Sequence, residues 1–150
     1  MDETERLHAS VEALCRFIES LLPGALVDQE WGPKEVLAQL VYWHETYVAL
    51  LQARLAGRPY PLPEGRFRDI NAKAVAEGRQ RSVAQLVARL RAADRRLTTL
   101  ARDPKAASII MVVKVGAAPR RVPAYLDRVD GHLRGHLQDL RRAQRRRSPG

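Results

Sequence analysis

Three histidines are the side chains best placed by type and spacing to do chemistry: His44, His132 and His136. His132 and His136 stand one turn apart in HLRGHLQDL, so on a helix both imidazoles project from one side and can meet one ion. A third ligand is needed, and His44 is the natural candidate because it falls near the middle of another helix's apolar face. A three-histidine site leaves a position open for water or substrate, as a catalytic metal requires. Imidazoles suit zinc, nickel or iron, and the sequence does not choose between them. The same residues also read, with no metal, as a hydrogen-bonded core histidine and a polar pair in a cleft. His8 lies in a first turn among acids and reads as a surface residue. There is no glycine-rich phosphate loop, no CxxC pair, no HExxH and no framework for Ser–His–Asp chemistry. Glu45 points away from the apolar centre, so it is a surface carboxylate rather than a general base. Trp43 flanks the apolar stripe, where it closes a pocket or packs in a core or interface.

These side chains need helices to hold them. In Trp31–Leu55 the residues Val36, Leu37, Leu40, Val41, His44, Tyr47, Val48, Leu51 and Leu55 recur at spacings of three and four, which places them on one helical face. Pro33 fits the first turn, Lys34 and Glu35 begin the solvent face, and Gly57 with Pro59, Pro61 and Pro63 stops the helix. A first helix runs from about Thr4 to Leu22, with Leu7, Val11, Leu14, Cys15, Ile18, Leu21 and Leu22 inward, and a link Pro23–Gly32 follows. GRPYPLPEGRFRDIN is too proline-rich for a regular element and reads as an ordered loop pinned by Tyr60, Leu62 and Phe67, leading to a short helix over Asp69–Gly78. Ser82 and Gln85 have the form of a capping box opening a helix that Asp103-Pro104 ends. Ala106–Val115 is β-branched but has no evident partner strand, so it reads as buried extended chain or a loose turn. The last helix starts near Pro123 and runs to about Arg145. Gly131 and Gly135 should each cost it about 1 kcal/mol, compensated by close approach of another helix or a ligand. Four amphipathic helices and no convincing sheet predict an all-α, antiparallel four-helix bundle.

Composition sets the limits. The 150 residues suit one domain, covering 1–146, with a disordered basic tail at 147–150. Ala106–Val113 is the longest apolar run, too short for a span of about 20 residues, so no membrane segment is expected. The acidic N-terminus lacks the pattern of a signal peptide, and a single cysteine suits a reducing cytoplasm. Residues 1–50 carry net charge −6, residues 51–119 carry +9 and residues 120–150 carry +6. RRAQRRRSPG is a solvated helix end, or makes weak contact with nucleic acid.

WGPKEVLAQLVYWHE, GRPYPLPEGRFRDIN and HLRGHLQDLRR resemble the DinB-like superfamily of four-helix bundles over most of the chain. The proline-rich loop leading to Asn71, preceded by Trp43, is similar to its ClbS/DfsB branch. That superfamily includes metal-dependent thiol transferases and isomerases, stress-associated proteins and proteins resisting DNA-damaging metabolites, and many members dimerise. Its metal-binding members have a histidine just before the leucine that Leu40 resembles, where this chain has Gln39; the aromatic of the ClbS-like branch is absent there too. The pair on the last helix matches at His132 and His136. His44 lies about 140° round the helix from Gln39, so the two share one site only if the pocket is wide.

The resemblance implies a cytoplasmic, homodimeric stress or detoxification protein with a pocket for a small-molecule substrate between the second and last helices. It would be a metal-dependent hydrolase or thiol transferase if a divalent metal, zinc or nickel, sits on His44, His132 and His136, with Gln39 and Trp43 in the pocket. The alternative is a non-catalytic bundle that binds a small molecule or DNA without any cofactor.

Overall fold

A computed structural model describes residues 1–21 and 32–147, and these are mostly helical. The helices are α1 (Glu3–Glu19), α2 (Pro33–Leu55), α3 (Phe67–Gly78), α4 (Val83–Ala101) and α5 (Val122–Arg147). A 3-10 turn at Ala106–Ser108 and a ribbon of β1 (Ile110–Met111) and β2 (Arg120–Arg121) connect α4 to α5. No helix among the described residues is long and apolar enough to cross a membrane. Leu22 of the expected first helix, the expected link from Pro23 through Trp31, and residues 148–150 of the expected tail lie outside the described residues.

Local chemistry sets the helix ends. α1 begins one residue before Thr4 because Asp2 and Glu5 cap each other: the Glu5 N–H donates to the Asp2 carboxylate at 2.9 Å and the Asp2 N–H to Glu5 at 3.2 Å. Ser82 and Gln85 form the expected box at α4, with bonds of 3.0 and 2.9 Å. Pro33 occupies the first turn of α2. At the other end the Arg58 N–H donates to the Ala53 carbonyl at 2.8 Å, with Gly57 (φ 69°) supplying the left-handed residue.

α2 is buried around most of its circumference, with Ala38 and Val41 on one flank, Trp43 and Tyr47 on the other, and Leu37, His44 and Leu51 between. That wrap takes in Glu35, which the sequence assigns to the solvent face. α2 packs closely along α4 and beneath α3, and α1 packs along α5 and α4, whereas α2 and α5 stay further apart. The uneven charge of the sequence is used across these seams. Arg91 of α4 donates to Glu12 and Glu19 of α1 at 3.0 and 2.9 Å, Arg89 of α4 to Glu45 of α2 at 3.0 Å, and Arg6 of α1 to Asp127 of α5 at 2.8 Å. His8 is also structural, its Nδ1 lying 2.7 Å from a carboxylate oxygen of buried Asp94.

Ala106–Val115 does find a partner. Ile110 pairs with Arg121 and Met111 with Arg120, and the Val122 N–H donates to the Ile109 carbonyl at 3.1 Å. The partner strand is two exposed arginines, which carry none of the apolar alternation by which a strand is recognised. Met111 and Val113 are buried and close this end of the core. On α5 the inward stripe is Tyr125, Leu126, Val129, Leu133, Leu137 and Leu140. Gly131 and Gly135 lie on its exposed face, where an added Cβ would meet nothing within 4 Å, so the expected close approach is not found among the described residues.

Candidate functional site

Where α2 and α5 diverge, aromatic side chains and a cavity of about 270 Å³ fill the gap. Leu40 and Val129, from α2 and α5, give the cavity aliphatic surface. The five residues singled out in the sequence all line it: Gln39, Trp43 and His44 from α2, His132 and His136 from α5. Gln39 and His44 therefore reach one space despite their separation round the helix, because the helices stand apart there.

The apolar wall is a chain of rings. Trp43 is buried, stacks on Tyr47 at 6.2 Å and meets Phe67 at 5.4 Å. Tyr47 in turn meets Tyr125 of α5 edge-on at 5.2 Å. These separations fall in the range where aromatic pairs attract beyond their buried area. The Trp43 indole N–H donates to the Asn71 side-chain oxygen at 2.6 Å, fixing α3 against α2 and orienting the tryptophan. Phe67 is half exposed at the rim, with Lys114 Nζ 4.9 Å from its ring centre. Burial, and then the neighbouring Tyr125 phenol, pushes the Tyr47 phenol well above its ordinary range, so both the wall and its hydroxyls are uncharged at neutral pH.

His44 is fully enclosed, its ring 5.8 Å from that of Tyr47. Neither of its ring nitrogens has a hydrogen-bond partner among the described residues. Burial lowers its pKa from 6.5 to about 4, so the imidazole is neutral, with one donor and one acceptor nitrogen. His136 is half buried, and burial followed by the nearby His132 lowers its pKa as well. His132 is exposed at the rim. Arg128 stands one turn before His132 and lines the same cavity, and among the described residues no carboxylate does. The three histidines thus share the space, one enclosed and two toward the rim. Among the described residues no group of three His, Cys, Asp or Glu side chains is arranged to hold a metal ion. The expected ligand set consists of an enclosed imidazole, His44, and a pair toward the rim, His132 and half-buried His136.

Five participants escaped the sequence reading as site residues: Tyr47, Tyr125, Arg128, Phe67 and Asn71. Arg128 carries a signal, since Arg128, His132 and His136 repeat every four residues. Phe67 and Asn71 come from α3, whose position over α2 is a property of packing. Cys15 is buried in the core, and burial raises its thiol to about 11, which keeps it protonated at neutral pH. Comparison with known proteins finds no family model that matches the chain, no similar curated protein and no similar solved structure.

Proposed function

We propose that the chain is a DinB-like antiparallel four-helix bundle of the ClbS/DfsB type, formed by α1, α2, α4 and α5, and that it detoxifies or sequesters a small organic molecule in the cavity between α2 and α5. The observation that carries the reading is that Gln39, Trp43, His44, His132 and His136 line one cavity, with both nitrogens of a buried histidine left without a protein partner. A buried polar group normally has a hydrogen-bond partner, so an unsatisfied one facing a cavity marks a place for a ligand. In this reading the rings hold the apolar part of the ligand, His44 bonds its polar group, and the fold excludes bulk water. The protein acts in the cytoplasm as a homodimer. The test is survival of a sensitive bacterium challenged with DNA-damaging electrophiles. Expression of the chain should protect, and Gln39→Trp, which fills the cavity from a half-buried position, should abolish protection while circular dichroism shows a folded protein. Protection that survives Gln39→Trp would refute a role for the cavity.

A second reading, a metal-dependent hydrolase or thiol transferase, is favoured by the one-turn spacing of His132 and His136 on the cavity rim. Elemental analysis of the untagged protein decides it. One zinc or nickel per chain, lost in His132→Ala/His136→Ala, would select this reading; no metal after incubation with either ion would dismiss it.

A further inference from the structure

We propose that the cavity is selective for a small planar aromatic acid, its ring among Trp43, Phe67 and Tyr47 and its carboxylate toward Arg128; this rests on the small-molecule reading above. Size sets the first limit. A volume of about 270 Å³ lies just under the range of drug-sized sites, about 300–1,000 Å³, which leaves room for one or two fused rings.

Shape sets the second. The Trp43 and Phe67 rings lie 5.4 Å apart at an interplanar angle of 50°, and Trp43 and Tyr47 are nearly parallel at 26°. A planar ring meets several π faces here at once, whereas a flexible aliphatic chain would lose rotamer freedom without gaining those contacts.

Charge sets the third. Among the described residues the polar groups of the lining are the Asn71 and Gln39 amides, the imidazoles, the Tyr47 and Tyr125 hydroxyls, the Trp43 indole N–H and Arg128, and none is a carboxylate. Arginine is charged at every accessible pH and offers a fork of N–H donors matched to a carboxylate. The acids of its own helix are engaged elsewhere: Asp127 with Arg6, Asp130 with Ser10 and Arg134, and Asp139 with Arg142. Arg128 forms no ion pair among the described residues. A cationic ligand would bring like charges together, and a neutral one would leave the guanidinium fork without an anion. His44, at the enclosed end with two unpartnered nitrogens, adds selectivity for a ring substituent that can donate or accept a hydrogen bond.

The test is calorimetric titration of the full chain with 2-naphthoate, 6-hydroxy-2-naphthoate, 2-naphthamide and 2-naphthylmethylamine. The acid should bind about tenfold or more tightly than the amide, the scale of a hydrogen bond to a charged group. The amine should bind weakest. In Arg128→Gln, a change at an exposed position that spares the fold, the acid-to-amide ratio should fall toward one. The hydroxyl should tighten binding in the native chain and not in His44→Leu. Equal binding of acid and amide, preference for the amine, or an acid preference that survives Arg128→Gln would overturn the assignment. So would failure of all four compounds to bind at millimolar concentration. In each of those cases the survival assay with Gln39→Trp still judges the cavity's role separately, so the two failures are distinguishable.

Discussion

The two flanks of α2 are built on opposite principles. On the α4 and α3 flank the helices meet most closely at one seam: a Cβ placed on Gly78 would overlap the Cβ of Ala38 and stand 3.3 Å from its Cα, and Leu86 and Leu90 are fully buried nearby, while a hollow of about 320 Å³ opens beside it among Tyr42, Glu45, Gln80 and Arg81. At that edge Arg89 pairs with Glu45. On the α5 flank the helices stand apart, the gap is filled by rings and a cavity, and a buried imidazole has no hydrogen-bond partner among the described residues. One helix thus holds the fold together with one side and leaves unsatisfied chemistry on the other. Asp94 and Thr98 of α4 also carry a buried oxygen without a partner among the described residues, but only the His44 nitrogens combine that with a ring-walled cavity, which is what a binding site requires.

The largest effect expected from this contrast is a pH dependence on the open flank. Burial lowers the folded-state pKa of His44 from 6.5 to about 4, so folding favours the neutral imidazole. For a base with a depressed folded pKa, the associated stability is fully present above its unfolded pKa. It is lost as the pH falls from about 6.5 to about 4. The loss is on the order of 3 kcal/mol for a fully buried ring. Denaturant midpoints across that window should fall steeply in the native chain and less steeply in His44→Leu. Equal slopes would mean that His44 is solvated or paired, and the distinction between the flanks would then disappear.

On the closed flank Gly78→Ala should cost about 2 kcal/mol, because overpacking outweighs the better helix propensity of alanine. Pairing it with Ala38→Gly should restore much of the loss, since removing one Cβ makes room for the other. The thermodynamic cycle of the two variants should therefore show coupling of about 1 kcal/mol. Additive effects would show that the seam has slack.

How much of this was legible depends on the range of the interaction. The helices were readable because a period of three and four survives in α1, α2, α4 and α5 whatever packs on them. The Ser82 box was local and was found; Asp2 and Glu5 have the same form and define the true start of α1. The cavity was half legible. His44, His132 and His136 stand out by type, but a wheel lets Gln39 and His44 share a site only in a wide pocket and knows nothing of how far the facing helix lies. Asn71 and Phe67 depend on the placement of α3, and the Arg120–Arg121 strand has no pattern to read. The charge asymmetry was visible while its use was not: Arg91 and Arg89 of α4 answer Glu12, Glu19 and Glu45 far away in sequence.

The smallest effect concerns the far side of α5, and it sharpens the contrast. Gly131 and Gly135 sit on an exposed helical face where a methyl group would touch nothing, unlike Gly78, where it collides. Alanine in a helix interior is favoured over glycine by about 1 kcal/mol, so the double substitution should stabilise the chain by up to about 2 kcal/mol. The thermal midpoint of a dilute sample should rise accordingly. The same variant reports on partners, because a second copy or a ligand lying close against these glycines would be displaced by the added methyls. Light scattering of native and double-alanine protein at equal concentration separates the cases. A stabilised variant of unchanged mass would mean that the two glycines serve no close approach. A native dimer that the alanines dissociate would place the contact on this face, beside the rim histidines, and would make the open flank of α2 a site that two chains build together.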